Sequence, residues 1–387
     1  MSEASGTGRI VIDGGTVVTP TETIAGGRVR IDGEHITGVE PIGDDTDFEP
    51  VGERVDASEK VVLPGLIDLH GDDVERYLFP RSGERVDPLT ALTASDRLTL
   101  AAGVTTKFDA IAFEDAPEKN RSIEGATEVL DAIENSASLV ADHRVHARCE
   151  LTDPASVERV GTLADRSSVD IVSLMAHVPG RGQFEDDDAF ASRYTDGRGA
   201  VADQAASAGR TVGSIPESTV RARATALAAA VDGTDVVLAS HDDPDAAAVD
   251  RALDNGVELC EYPLTLEAAE RASTRGVATA MGAPNLVRGG SLWGNLDTLE
   301  AIDAGAVDVL CSDYRPHSLL ESVFADTGEP LQRRVARVTS EPARVAGLTE
   351  RGRLAPGSRA DIVVVDPTDV PTVTRAFVAG EEVYRCE

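Results

Sequence analysis

Residues 61–72 read VVLPGLIDLHGD, an apolar run that ends at His70 and is followed by the carboxylate of Asp72. Two further histidines close apolar runs in the same way, His177 after 171–176 and His241 after 236–240. Buried strands that each deliver a potential metal ligand at their carboxyl end are typical of a hydrolytic metal site in a β/α barrel. This pattern makes the chain a candidate enzyme.

Strand-like runs alternate with helical stretches through the middle of the chain. Stretches rich in Ala, Glu and Arg, such as 123–137 and 220–231, separate the runs. The strand candidates are 66–70, 104–110, 145–150, 169–177, 236–241, 257–262, 277–281 and 308–313. Eight such units with apolar centres predict an α/β fold, a (β/α)8 TIM-like barrel.

Both ends of the chain have a different pattern, in which short β-branched runs are separated by Asp-Gly and Gly-Gly turns. Such punctuation indicates hairpins, and we expect the two ends to form one small composite β-sandwich. The predicted domains are residues 1–60 and 345–387 for the two parts of the sandwich and 61–344 for the metal-dependent barrel. Residues 180–220 are polar and are predicted to form a long excursion over one end of the barrel.

The composition is strongly acidic, with 68 Asp and Glu against 36 Lys and Arg and a net charge of −32. This balance argues against a nucleic-acid or anionic-membrane surface, because both require a basic face. Lysine occurs only at Lys60, Lys107 and Lys119. An acidic, lysine-poor chain is typical of a salt-loving organism, and we expect a halophilic archaeon; an ordinary acidic cytosolic protein is the alternative.

Nothing in the sequence predicts export or membrane insertion. No apolar stretch reaches the ~18 residues needed to span a bilayer, and the first residues lack the apolar core of a signal peptide. The four cysteines, at 149, 260, 311 and 386, show no paired spacing. These features predict a reduced, cytoplasmic protein.

The strand ends supply a set of candidate ligands, because barrel enzymes place their active-site groups there. His70 and Asp72 are two residues apart, so in extended chain both face one side and can share a cation. Glu150 is placed to bridge two metals, and Asp313 to take a proton from an attacking water. The predicted metal set is His70, Asp72, Glu150, His177, His241 and Asp313.

Imidazole and carboxylate ligands suit Zn²⁺, Mn²⁺ or Fe²⁺ without choosing among them. We expect a divalent metal cofactor, two ions per chain, about 3.5–4 Å apart, an arrangement that lowers the pKa of bound water. Taken singly, each histidine could equally be a hydrogen-bonded core residue. Three of them at strand ends with matching carboxylates favour the metal site.

Two segments, 62–72 and 352–363, resemble the first-strand signature and the C-terminal return of the amidohydrolase superfamily. Segments 146–151, 172–180, 239–243, 281–291 and 312–314 together resemble the PhnM diphosphatase family of the carbon–phosphorus lyase pathway. The resemblance implies hydrolysis of α-D-ribose 1-methylphosphonate 5-triphosphate to the 5-phosphate, with release of pyrophosphate. It also implies that the six predicted ligands hold the metals and that Asp313 is the base.

Some positions depart from the superfamily pattern. The first motif is His-x-Asp instead of His-x-His. His177 and His241 fall on the fourth and fifth predicted strands, whereas the superfamily usually has its ligands on the fifth and sixth. Lys107 lies on the second strand and does not match the carboxylated bridging lysine of some relatives. His146 is predicted to pack or to support the ligands.

A triphosphate substrate requires cationic groups besides the metals, and guanidinium groups match phosphate oxygens. The predicted substrate-binding residues are Arg148, Arg288, Arg81, Arg181 and Arg315, all near predicted strand ends. A purely structural role is the alternative for each of them, because the basic residues of this chain are almost all arginine.

Two other functions stay open at this point. One is a hydrolase of the same superfamily that acts on a C–N bond, either a cyclic amidase of the dihydroorotase type or a deaminase. The other is a non-catalytic barrel that serves as a scaffold. The expected partners are a small-molecule phosphonate or triphosphate substrate and a second copy of the chain in a homodimer, with no nucleic acid and no membrane.

Overall fold

The computed structural model describes residues 8–43, 52–178 and 215–386. Its strands are β1 (Arg9–Val18), β2 (Thr23–Asp32), β3 (His35–Pro41), β4 (Glu53–Asp56), β5 (Val61–Pro64), β6 (Leu66–Gly71), β7 (Val104–Phe113), β8 (Asp142–Glu150), β9 (Val169–Met175), β10 (Val237–His241), β11 (Leu259–Glu261), β12 (Ala278–Gly282), β13 (Val309–Cys311), β14 (Ile362–Asp366), β15 (Thr372–Val378) and β16 (Glu381–Arg385). The predicted excursion at 180–220 lies mostly outside the described residues.

The described helices follow most of the barrel strands. They are α1 (Val74–Leu78), α2 (Pro88–Ala101), α3 (Ile123–Asn135), α4 (Pro154–Leu163), α5 (Glu217–Val231), α6 (Ala246–Asp254), α7 (Leu266–Thr274), α8 (Ala283–Arg288), α9 (Thr298–Asp303), α10 (His317–Phe324), α11 (Leu331–Ala336) and α12 (Ser340–Val345). Several helices begin at a side-chain cap. The side chain of Asp87, which precedes Pro88, accepts hydrogen bonds from two backbone N–H groups of the first turn, and Ser122 and Asp153 each accept one. Such caps start a helix because they satisfy its unpaired first donors.

Strands β6 to β13 form one parallel sheet in chain order, and an isolated bridge between Gly71 and Asp313 joins the last strand region to the first. Every residue of β6 and β7 is buried, as expected for strands that are covered on both faces. Each of the eight predicted strands corresponds to one barrel strand. The predicted (β/α)8 architecture is therefore confirmed.

The second sheet combines strands from both ends of the chain, in the order β16-β15-β14-β5-β1-β2-β3, with β4 beside β1. The two ends meet where β5 pairs antiparallel with β14, Val62 opposite Val364. Ile12 and Phe377 lie together in the core of this unit. The composite sheet predicted from the termini is confirmed, while the domain boundaries stay a prediction.

A network of buried charges lies between the barrel and α2. Lys107 Nζ, in the middle of β7, contacts Asp73 Oδ1 at 2.5 Å, Asp109 Oδ1 at 3.0 Å and the Ser95 hydroxyl at 2.9 Å. On the other side of Asp109, its Oδ2 lies 2.7 Å from His143 Nδ1. The ammonium of Lys107 is thus held by aspartates, as expected of a lysine outside the metal site.

None of the helices in the described ranges is long and apolar enough to cross a membrane.

Candidate metal and catalytic site

The carboxyl ends of the barrel strands surround a cleft of about 250 Å³. Of the residues predicted from the sequence, those that line it are His70, Arg148, His177, His241, Arg288 and Asp313. The cleft therefore brings together side chains that are far apart along the chain, at the end of the barrel where active sites occur.

Three side chains of this site form a compact donor set. One ligand atom from each of His70, His241 and Glu261 lies within 4.8 Å of the others. His70 Nδ1 is 3.0 Å from Glu261 Oε1, and both side chains are almost fully buried. Burial raises the pKa of Glu261 and lowers that of His70 well below its usual value. Both groups would gain from a cation, which stabilises the carboxylate and binds neutral imidazole.

His146 supplies a further observation that fits a metal. Its Nδ1 lies 2.9 Å from the Leu69 carbonyl oxygen, so the ring proton is on Nδ1 and Nε2 carries a lone pair. Nε2 is 3.5 Å from Glu261 Oε2, and neither atom has a hydrogen-bond partner among the described residues. Burial lowers the pKa of His146 to about 4. Two buried acceptors that face each other are unfavourable unless a cation or proton lies nearby.

A second pair of predicted ligands lies beside this set. Glu150 Oε2 accepts from His177 Nδ1 at 2.7 Å, and its Oε1 accepts from the Thr152 hydroxyl at 2.6 Å. Burial alone would raise the pKa of Glu150, but the contacts with His177 and Thr152 together lower it. The His177 and His241 ring centroids are 6.4 Å apart. His241 thus connects this pair to the donor set at His70.

Asp72 lies outside the donor set. Its Oδ2 accepts from Arg148 Nη1 at 2.8 Å, so in the structure this carboxylate pairs with an arginine and not with the imidazole of His70. Arg148 is buried, which lowers its pKa, but the carboxylates of Asp72, Glu75 and Asp313 together raise the pKa above its usual value. The role of Asp72 as a metal ligand stays a prediction.

Asp313 is held at the junction of the first and last barrel strands. Its N–H donates to the His70 carbonyl at 2.9 Å, and its own carbonyl accepts from Asp72 N–H at 2.7 Å. Burial, and then the Asp72 carboxylate, raise the pKa of Asp313 to about 7. A carboxyl with such a pKa can exchange protons near neutral pH, as a general base requires.

Three residues just beyond the ends of barrel strands have left-handed backbone. Asp242 (φ 59°) follows β10, Tyr262 (φ 51°) follows β11, and Asp313 (φ 53°) lies two residues after β13. Aspartate tolerates this region, whereas a bulky aromatic residue there is a true outlier. All three line the cleft. Such conformations occur most often at functional sites, which supports the assignment of this end as the site.

The predicted arginines have different surroundings. Arg288 Nη1 donates to the Tyr314 hydroxyl at 3.1 Å at the edge of the cleft, while Arg315 donates to both carboxylate oxygens of Glu321, at 2.8 and 2.7 Å. Arg81 is exposed and is not among the cleft-lining residues. Arg181 lies outside the described residues.

Glu261 was not among the predicted ligands, although 257–262 was a strand candidate and Glu261 is the last residue of β11. The strand count itself was right, because His177 follows the fourth barrel strand and His241 ends the fifth. Glu261 ends the sixth strand, one of the two that usually carry ligands in the superfamily.

Comparisons with known proteins agree with this geometry. No protein-family model matches the chain. The chain is 34% identical over 334 residues to the α-D-ribose 1-methylphosphonate 5-triphosphate diphosphatase of Escherichia coli (strain K12), covering 82% of this chain and 86% of that enzyme. A dihydroorotase of Methanopyrus kandleri (strain AV19) is 35% identical over 108 residues, 22% of this chain and 25% of the enzyme.

The fold comparison extends over nearly the whole chain. Dihydropyrimidinase from Brevibacillus agri NCHU1002 superposes with a TM-score of 0.65 over 97% of this chain and 95% of that one, at 15% identity. At this identity the match shows the fold alone. Together with the diphosphatase match, it means that the chain is a hydrolase of the amidohydrolase superfamily and belongs to the α-D-ribose 1-methylphosphonate 5-triphosphate diphosphatase family.

Proposed function

We propose that this chain hydrolyses α-D-ribose 1-methylphosphonate 5-triphosphate to the 5-phosphate and pyrophosphate in phosphonate catabolism. The observation that carries the proposal is the 34% identity to a diphosphatase of this name, over 86% of that enzyme. The cleft supports it, because carboxylate and imidazole donors lie beside Arg148 and Arg288. A substrate with several phosphate charges needs both kinds of group.

Asp313 is the proposed base. The water oxygen forms a bond to the α-phosphorus while the bond from that phosphorus to the α–β bridging oxygen breaks, and pyrophosphate leaves with the bond electrons. The water proton passes to the Asp313 carboxylate. Arg148 and Arg288 donate to non-bridging oxygens and so stabilise the charge of the transition state.

In this proposal His70, His241 and Glu261 would hold one divalent metal, and Glu150 and His177 would hold a second. Their imidazole and carboxylate donors suit Zn, Mn or Fe. When bound, such an ion acidifies water and withdraws charge from phosphoryl oxygens.

The test is ³¹P NMR of the metal-loaded enzyme with the ribosyl triphosphate, beside a panel of cyclic amides. We expect pyrophosphate and the 5-phosphate as products. Asp313→Asn should lower kcat by at least about a hundredfold, because general-base catalysis contributes about 10²–10⁴-fold.

The matched control is Asp303→Asn, since Asp303 is an exposed aspartate at the end of α9, and it should retain the wild-type rate. Turnover of cyclic amides without any release of pyrophosphate would contradict the proposal and indicate a C–N hydrolase.

A further inference from the structure

Two arginines contact Tyr314, which lines the cleft: one binds its hydroxyl and the other lies over its ring. Arg288, the last residue of α8, donates through Nη1 to the Tyr314 hydroxyl at 3.1 Å and through Nη2 to the Gly290 carbonyl at 2.6 Å. Arg76, on α1, has its guanidinium carbon 5.5 Å from the centre of the Tyr314 ring, in a cation–π contact. We call Arg76, Tyr314 and Arg288 the arginine bracket.

No carboxylate of the described residues forms an ion pair with the bracket. Most arginines in the described residues pair with a carboxylate, as Arg315 does with Glu321 and Arg148 with Asp72. Among those same residues, neither Arg76 nor Arg288 has a carboxylate oxygen within 4.0 Å. In a chain with 68 acidic and 36 basic residues, two such cations beside one tyrosine that lines the cleft are suited to bind an anion.

The position of the bracket relative to Asp313 is fixed by the backbone. Tyr314 follows Asp313 directly, and the backbone of Asp313 is hydrogen-bonded to His70 and Asp72. The carboxylates that line the same cleft, Asp242 and Asp313, lie at the metal end: Asp242 Oδ2 is 3.1 Å from His241 Nδ1. Tyr314 and Arg288 thus line the same cleft as His70 and His241, and Arg76 lies beside them through its contact with Tyr314.

We propose that the arginine bracket is a polyphosphate subsite that binds the two terminal phosphates of the substrate, the group that leaves as pyrophosphate. The identity of this ligand rests on the proposed function; the affinity for linked phosphates does not. Two guanidinium groups offer several N–H donors to adjacent phosphates. Orthophosphate offers only one phosphate to the two guanidinium groups, so we expect the bracket to bind linked phosphates more tightly.

The test measures binding of inorganic tripolyphosphate, pyrophosphate and orthophosphate to the metal-loaded protein at constant free metal. Trp293 is the only tryptophan of the chain and lines the cleft, so its fluorescence reports binding; calorimetry gives a second, independent value. We expect Arg76→Gln and Arg288→Gln each to weaken tripolyphosphate binding by about tenfold to a hundredfold, the contribution of a charge-assisted hydrogen bond. Orthophosphate binding should change much less.

Two further variants make the result specific. Arg288→Lys retains the charge but loses the planar fork, and should bind tripolyphosphate with intermediate affinity. Arg353→Gln removes the same charge at an exposed arginine that donates only to the Thr349 carbonyl in the described structure, and should bind like the wild type.

Wild-type tripolyphosphate affinity in both Arg76→Gln and Arg288→Gln would overturn the subsite, even if the enzyme hydrolyses the ribosyl triphosphate. Conversely, both variants could bind tripolyphosphate more weakly while the wild-type enzyme does not turn over the ribosyl triphosphate. That result would support the subsite and contradict the proposed function. The two proposals therefore fail in distinguishable ways.

Discussion

At the scale of single residues, Glu261 is the carboxylate of the candidate metal-binding cluster with His70 and His241. Its Oε1 is 3.0 Å from His70 and its Oε2 faces the unprotonated nitrogen of His146. Glu261→Gln removes the charge while keeping the shape. We expect metal affinity to fall by at least about tenfold, as when a ligand or its immediate support is lost, measured as metal per chain by plasma mass spectrometry after dialysis. Glu258→Gln, at an exposed glutamate just before β11, should retain the full metal content; equal loss in both would exclude a ligand role.

His143 gives a prediction on pH and stability. Burial would lower its pKa, but the carboxylates of Asp109 and Asp96 outweigh this and raise it to about 9 from the usual 6.5. Because the folded pKa is raised, the stabilisation is complete below about pH 6.5 and is lost as the pH rises through about 9. The free energy of unfolding should therefore decline over this window by up to about 3 kcal/mol.

Urea unfolding between pH 6 and 9.5 tests this expectation. His143→Gln should flatten the decline, whereas His35→Gln, on the exposed position of β3, should leave it in place. A decline of the same size in His143→Gln would assign it to another group.

At the scale of elements, the network around Lys107 joins β7 to α2 and to the loop after β6. Lys107→Met leaves Asp73 buried without its cation and leaves Asp109 with His143 alone, so we expect a loss of about 3–5 kcal/mol in the free energy of unfolding. Lys60→Met breaks the partly exposed pair with Asp366 and should cost about 1 kcal/mol or less. Denaturant midpoints of the two variants check the difference; equal losses would mean that the buried network contributes no more than a surface pair.

The barrel strands could be predicted from the sequence because strands buried on both faces are continuous apolar runs, as 236–239 shows. The ends of those runs also located His70, His241 and Asp313. Side-chain direction could not be predicted. The expectation that Asp72 faces the same side as His70 holds only in extended chain, but β6 ends at Gly71 and the Asp72 carboxylate pairs with Arg148. The contact of Arg76 with Tyr314 joins elements distant in the chain and leaves no local pattern, whereas Glu261 stands at the end of a predicted strand.

At the scale of the whole molecule, the acidic excess predicts how stability responds to salt. The net charge of −32 makes the folded chain repel itself, and surface ion pairs contribute only about 0–1 kcal/mol each. Raising KCl from about 0.1 M to about 1 M shortens the Debye length from about 10 Å to about 3 Å, which screens the repulsion more than it weakens the pairs. The melting temperature should therefore rise by several degrees in calorimetry. Sucrose at equal osmolality is the control, because it lacks charge; a melting temperature that stays constant or falls in KCl would mean that the paired charges outweigh the excess.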